Sequence, residues 1–255
     1  MTGLLDGKSA LVTGGGNGIG RATALAMARE GARVVVADIE ADTAAATVAA
    51  INEAGGQAIA KAGDLTRSDE VAALIDAALS AYGRLDCAFN NAGIAPYQLG
   101  MQGKKTAEWD EAAWDRMIEI NLKSVWLCMK HELPAMQAAG GGAIVNTASI
   151  AGLVGLRVSS AYVAAKHAVN GLTKAAALEY GADNIRINSV CPGYVETRMT
   201  TTSRAIFGEH LVNSTPLGRL GSPPEIAELV VWLCSDRASF VHGAAYAADG
   251  GWTAA

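Results

Sequence analysis

Two side chains with complementary acid–base chemistry lie four positions apart, Tyr162 and Lys166, near the start of a segment that reads as a helix. Residues at i and i+4 share a helix face, so phenol and ammonium are neighbours there. A free phenol, with a pKa near 10, exchanges protons poorly at neutral pH. An adjacent cation favours the phenolate and makes proton exchange with a substrate oxygen feasible. This is the one Tyr-x-x-x-Lys in the chain, although ordinary helix-surface pairs show the same spacing. Upstream, Ser149 follows a strand expected over Ala143 to Thr147, which puts a hydroxyl at that strand's C-terminal end.

A second chemical signal is the turn Thr13-Gly14-Gly15-Gly16-Asn17-Gly18-Ile19-Gly20, between the first expected strand and a helix. Glycines there let the backbone turn sharply and approach a pyrophosphate, which the helix N-terminus then attracts. The common GxGxxG spacing is absent. Gly14, Gly18 and Gly20 give TGxxxGxG instead, a turn with a longer first gap. The second strand ends in Val36-Ala37-Asp38. An acidic side chain at that point accepts hydrogen bonds from both adenosine ribose hydroxyls and repels a 2′-phosphate. Neither Asn17 nor Ile39 supplies a positive charge for such a phosphate. By itself Asp38 reads equally well as a helix cap; after this turn it favours NAD over NADP.

The elements that must position these groups alternate in type. Strands are expected over Lys8 to Val12, Arg33 to Ala37, Gln57 to Ala60, Leu85 to Phe89, Ala143 to Thr147 and Ile185 to Val190. Helices are expected over Arg21 to Arg29, Asp42 to Glu53 and Ser68 to Tyr82, the last opened by Thr66-Arg67-Ser68-Asp69 with capping-box spacing. Ser222-Pro223-Pro224-Glu225 is a further start signal, for a helix into Leu233. Strand–helix alternation demands right-handed crossovers and a parallel sheet covered on both faces. No Pro- or Ser-rich linker divides the chain, so one doubly wound α/β domain is expected over residues 1–255. Two stretches lack periodicity, Ile94 to Glu108 and Glu196 to Leu220; both follow strand ends, where such sheets bind ligands.

Bulk composition narrows the partners. Of 255 residues 51% are hydrophobic and 18% charged, which suits a compact chain rather than a disordered one. A net charge of −5 with scattered Lys and Arg argues against nucleic acid or an anionic membrane. The N-terminal segment, Met1 to Lys8, is too polar for a signal peptide, and no apolar run is long enough to cross a bilayer, so a cytoplasmic location is expected. Cys87, Cys128, Cys191 and Cys234 form no CxxC pair and sit in apolar runs; His131, His167, His210 and His242 do not cluster. Neither set has metal-ligand spacing, and no metal is expected. Tyr97 and Tyr194, in loops after strand ends, are candidates to line a pocket. Met199, Ile206 and Phe207 would form the apolar side of a lid over about 196–220.

Taken together, the motifs resemble those of the classical short-chain dehydrogenase/reductase family over essentially the whole chain. They stand in family order: Thr13 to Gly20, Asp64-Leu65, Asn90-Asn91-Ala92-Gly93, Asn121, Ser149, Tyr162-Val163-Ala164-Ala165-Lys166, and Pro192-Gly193-Tyr194-Val195-Glu196-Thr197. The resemblance implies a Rossmann-type fold and hydride transfer between a nicotinamide and a secondary alcohol or its ketone. It makes Tyr162 the acid–base. Lys166 would lower the phenol's pKa and hydrogen-bond the nicotinamide ribose, Ser149 would hold the substrate oxygen, and Asn121 would support a water chain to Lys166.

For the cofactor, it implies contacts from Gly14, Asn17, Gly18, Ile19 and Gly20 at the turn and from Asp38 at the ribose. Asp64 and Leu65 would bracket the adenine, Asn91 would meet the adenosine side through its backbone, and Gly93 belongs to the same motif. Pro192, Gly193, Val195 and Thr197 would lie against the nicotinamide end, with Asn90 structural. The phrases Asn146 to Ser149, Cys128-Met129-Lys130 and Ala248 to Ala254 look most like NAD-linked members acting on cyclic alcohols and diols. A 3-oxoacyl-thioester reductase is the alternative within the class, disfavoured by Asp38; a non-catalytic cofactor-binding regulator is the alternative outside it, disfavoured by the presence of Tyr162 and Lys166. A homotetramer is implied by analogy. The segment Pro96 to Glu108 is slightly long for the family.

Overall fold

The structure, a computed structural model, describes residues 3–201 and 208–254. Seven strands form one sheet: β1 (Ser9–Thr13), β2 (Arg33–Asp38), β3 (Gln57–Ala62), β4 (Cys87–Asn90), β5 (Gly142–Thr147), β6 (Ile185–Pro192) and β7 (Ala245–Ala248). Their order is β3-β2-β1-β4-β5-β6-β7, and every pair is parallel. A parallel sheet needs crossovers that cover both faces, which is why its central strands read as unbroken apolar runs. Leu11 and Val35 are fully buried, as are Val12, Val34 and Val36, which pack on the opposite face.

One face is covered by α1 (Gly18–Arg29), α2 (Ala41–Glu53) and the helix Pro223–Cys234, whose Met27, Ile51 and Val230 join Val12 and Val34. The other is covered by α3 (Ser68–Tyr82), α5 (Ser124–Ala138) and α6 (Ser160–Tyr180), whose Leu74, Met129 and Ala176 meet Leu11 and Ile144. A further helix, α4 (Glu111–Ile118), starts at Asp110, whose Oδ1 accepts the Ala113 N–H at 3.0 Å. Strand order reverses at β1, which pairs with β2 on one side and β4 on the other, and a crevice opens there beyond the strands' C-terminal ends.

Three local expectations change. The capping-box spacing at Thr66 is not used; Asp64 organises this turn, its Oδ1 accepting from Thr66 N at 2.9 Å and Thr66 Oγ1 at 2.8 Å. A seventh strand, β7, joins the six expected, because pairing with β6 makes a strand of a four-residue segment too short to carry a period. The stretch Ile94 to Glu108 is built from two short 3₁₀ turns, Pro96–Leu99 and Thr106–Glu108. At the other helix start, Ser222 N donates to Glu225 Oε2 at 2.7 Å, as the spacing there predicts. Of the expected lid, His210–Asn213 is helical, while Ile206 and Phe207 lie outside the described residues.

Candidate active site

β1 delivers the chain into the glycine turn. Gly18 has φ +52°, a conformation that favours glycine, and a Cβ on Gly20 would lie 2.0 Å from the Gly14 carbonyl oxygen. Only a bare Cα lets α1 begin so close to β1. The turn is tied down from two sides. Thr47 Oγ1, on α2, donates to Gly15 O at 3.0 Å. Asn91 Nδ2 donates to Thr13 O at 3.2 Å, while Thr13 Oγ1 accepts from Asn91 N at 2.9 Å. Arg21 N makes the first backbone bond of α1, to Asn17 O, so the N–H groups just before it have no intrahelical partner and point an anion-binding end at the crevice.

The crevice holds a cleft of about 590 Å³. Its walls include Gly14, Asn17, Gly18, Ile19, Asp38, Asp64, Leu65, Asn91, Gly93, Lys166 and Thr197, so eleven of the residues singled out above converge on one space. Asp38 stands at the end of β2. Its Oδ2 accepts from Gly16 N at 2.9 Å and its Oδ1 from Glu40 N at 3.1 Å, which orients the carboxylate beside the turn. Burial raises the Asp64 carboxyl, but the Thr66 hydrogen bonds outweigh it and hold that carboxyl below its ordinary range.

Pro192, Gly193, Val195 and Gly20 stand behind this lining. Gly193 N donates to Ala248 O at 3.1 Å, and Val195 bridges to Gly221. Gly193 and Val195 brace the wall that carries Thr197, whose side chain faces Gly18, while Gly20 lies against Gly14 and Asn91.

α6 brings Lys166 to the cleft lining and holds Tyr162 beside it; Tyr162 and Ser149 are not themselves in that lining. Lys166 is buried, and its Nζ donates to the Thr147 carbonyl at 2.9 Å. The same Nζ sits 5.6 Å from the centroid of the Tyr162 ring. Burial pulls the Lys166 ammonium down to about 8. Burial also pushes the Tyr162 phenol up, and a hydrogen bond with Ser149 opposes that rise. Burial is the larger of these two influences in the free protein, and the lowering expected from Lys166 belongs to the mechanism proposed below. Ser149 Oγ accepts from Ala151 N at 3.1 Å, which fixes the hydroxyl at the end of β5.

Asn121 sits in a π-helical turn, Glu119–Lys123, between α4 and α5. π-turns insert a residue and re-aim side chains, frequently at functional sites. Asn121 is fully buried, and its Oδ1 accepts the Ile94 N–H at 3.2 Å. A Cβ on Gly93 would fall 2.7 Å from Asn121 Oδ1 and 3.6 Å from Lys166 Nζ, so these two groups approach the backbone at the same glycine. Tyr97 lines the cleft, whereas Tyr194 packs edge-on against Trp252 with centroids 6.3 Å apart.

Sequence reasoning missed Thr13, Thr147 and Arg116. Thr13 carried a signal, as a hydroxyl residue at the last position before the turn. Thr147 acts through its carbonyl, which any residue would supply, and Arg116 lines the cleft from α4 with nothing in its neighbourhood to mark it. His131 and His242 are engaged with Ser68 and with the Ile187 and Ala177 backbone, and His167 with the Val163 carbonyl. All four cysteines are buried, and no grouping of His, Cys, Asp or Glu fit for a metal occurs among the described residues. No helix among those residues is long and apolar enough to cross a membrane.

Comparison with known proteins agrees with this geometry. A family model described as enoyl-(acyl carrier protein) reductase matches residues 14–253. The cyclohexanol dehydrogenase of Acinetobacter sp. (strain SE19) is 48% identical over 254 residues, covering 99% of this chain and 98% of that protein. The cis-4-hydroxycyclohexanecarboxylate dehydrogenase of Sinomonas cyclohexanicum is 46% identical over 247 residues, 97% of each. The crystal structure of a short-chain type dehydrogenase/reductase from Mycobacterium marinum superposes with a TM-score of 0.93 at 34% identity, over 98% of this chain and 97% of that one. This chain belongs to the short-chain dehydrogenase/reductase family and is an oxidoreductase of CH–OH groups that works with a nicotinamide cofactor.

Proposed function

We propose that the protein is an NAD-dependent dehydrogenase of ring-borne secondary alcohols, able to run the reverse ketone reduction. The observation that carries this reading is a cleft lined by both Asp38 and Lys166, with Tyr162 beside Lys166 and against Ser149. The residues present fit a dinucleotide. The first turn of α1 offers N–H groups for the pyrophosphate, and Gly14, Asn17, Gly18, Ile19 and Gly20 leave room for it. Asp38, held by Gly16 N and Glu40 N, meets the adenosine ribose hydroxyls and repels a 2′-phosphate. Asp64, Leu65, Asn91 and Gly93 flank the adenosine side. Thr197 faces the opposite end, supported by Pro192, Gly193 and Val195.

The bound nicotinamide supplies or takes up the hydride; the protein orients and handles the proton. Ser149 holds the substrate oxygen beside the Tyr162 hydroxyl. In oxidation Tyr162 accepts the alcohol proton, and in reduction it donates one to the forming alkoxide. Lys166, anchored on the Thr147 carbonyl, supplies positive charge next to the phenol. Asn121, close to Lys166 at Gly93, supports the path by which that proton leaves for solvent.

Ring alcohols are the class named for the two relatives quoted above, and near-complete coverage at 46–48% identity supports extending the class here. The family model's description favours a second reading, an acyl-thioester reductase; Asp38 argues against the NADPH that the resemblance gives such reductases. A single domain, a homotetramer and a cytoplasmic location complete the proposal.

The test is to supply NAD with cyclohexanol, cyclic diols and linear secondary alcohols, and 3-oxoacyl thioesters with NADH or NADPH. Ring alcohols turning over faster than linear ones supports the proposal. Thioester reduction alone would replace it with the second reading.

A further inference from the structure

Behind the site, a chain of buried polar side chains runs from α5 past β4 and β5 to α6 without lining the cleft. Glu132 on α5 is fully buried, and its Oε2 accepts from Asn90 Nδ2 at 3.0 Å. Asn90 Nδ2 also donates to Asn146 Oδ1 at 3.0 Å, and Asn146 Nδ2 donates to Thr173 Oγ1 on α6 at 3.0 Å. Glu132 Oε1 is buried with no hydrogen-bond partner, and the same is true of Asn90 Oδ1. No cation among the described residues forms an ion pair with this carboxyl.

The direction of the chain starts at Glu132. Its Oε2 accepts, so Asn90 must present its amide N–H there. That N–H group in turn faces the Asn146 carbonyl oxygen, which aims the Asn146 amide at Thr173. Asn90 immediately precedes Asn91, which ties the glycine turn, and Asn146 immediately precedes Thr147, whose carbonyl holds Lys166. An isolated carboxylate with one amide donor and no cation costs far more in such a place than the neutral carboxylic acid does.

We propose that Glu132 is a positioning residue, an uncharged carboxylic acid whose acceptor oxygen sets the polarity of the Asn90–Asn146–Thr173 chain and so holds the strand ends that carry Asn91 and the Lys166 anchor. The proposal rests, for its catalytic consequence, on the role given to Lys166 above.

Burial pushes the Glu132 carboxyl up to about 8, with only the Asn90 hydrogen bond opposing. The titratable groups around it do not alter that balance. Cys128, one turn back on α5, feels Glu132 and is itself raised. His131 faces Ser68 of α3, and Lys166 of α6 and Cys191 of β6 act on each other. β4, β5 and α6 bring Asn90, Asn146 and Thr173 to the chain, none of which titrates.

Three readouts test this with the intact protein. Infrared difference spectra between wild type and Glu132→Gln should show a protonated-carboxyl C=O band at pH 7 that disappears as pH rises through about 8; a carboxylate band alone at pH 7 overturns the proposal. The folded protein holds this proton over a range where the unfolded chain has lost it, so stability contributed by Glu132 falls as pH rises from the ordinary carboxylate range to about 8 and is flat above it. Wild-type Tm should therefore drop more than that of Glu132→Gln between pH 5 and 8, and equal slopes would contradict the account.

For positioning, Glu132→Gln keeps an acceptor and should hold kcat within about threefold, while Glu132→Leu should lower kcat about tenfold with little change in KM for the alcohol. Thr173→Val, which removes the far end of the chain, substitutes if the Leu variant does not fold. A folded Leu or Val variant with wild-type kcat overturns the positioning role. If wild type turned over no alcohol at all, the infrared band and the Tm profile would still decide the state of Glu132.

Discussion

At the scale of single residues, the site depends on how burial and one hydroxyl divide control of a phenol. Burial pushes Tyr162 up and Ser149 pulls it down. In the proposed mechanism alcohol oxidation needs the deprotonated phenol, so its rate should rise with pH, and ketone reduction should favour lower pH. Removing the opposing hydroxyl lets burial act alone. Ser149→Ala should move the half-maximal pH of oxidation upward as well as lower the rate, and a pH–rate profile with an unmoved limb would contradict this account of Ser149. Residues at this scale were the most legible in the sequence, because chemistry advertises itself by type: a lone Tyr-x-x-x-Lys, a Ser at a strand end, an Asp after a Val run. What the sequence hid were partners acting through main-chain atoms. The Thr147 carbonyl under Lys166 is the clearest example, since no side-chain type encodes it.

Among elements, the junction of β1, α1 and α2 carries the proposed cofactor end. The approach of Gly20 to the Gly14 carbonyl leaves no space for a methyl group. Gly20→Ala should cost about 1–3 kcal/mol of stability through overpacking, and it should weaken NAD binding more than alcohol binding. Thr47 is fully buried and latches α2 to Gly15. Thr47→Val should cost about 1 kcal/mol, the net worth of one buried hydrogen bond, and raise KM for NAD; thermal melts and initial rates check both. Most of the first six strands were readable because buried parallel strands are apolar throughout; β3, largely exposed, was the weaker signal. β7 was not readable, since Ala245–Ala248 becomes a strand only by pairing with β6. The bounds of α3 were read as found, but its cap was not, because Thr66 has the right spacing for a cap but spends its hydroxyl on Asp64. The π-turn at Asn121 has no sequence period of its own.

On the scale of the whole molecule, one sheet with a core on each face joins both ends of the cleft. If the proposed single domain is right, unfolding should be one cooperative transition, and NAD at about 100 times its Kd should stabilise it by about 2.7 kcal/mol. Two separated transitions, with NAD raising only one, would contradict that reading. Leu178 and Phe240 stand exposed near the end of α6 and beside β7, surfaces that fit the proposed self-association; light scattering gives the mass directly.

The proposed function joins Tyr162 as the acid–base to Asp38 as the reader of the ribose. Initial rates with cyclohexanol, measured for wild type with NAD and with NADP and for Tyr162→Phe with NAD, test both at once. The account predicts turnover with NAD, a rate with NADP lower by about 10²-fold from like-charge repulsion at Asp38, and a loss of about 10²–10⁴-fold in Tyr162→Phe. A Tyr162→Phe variant as fast as wild type, or a preference for NADP, would contradict it.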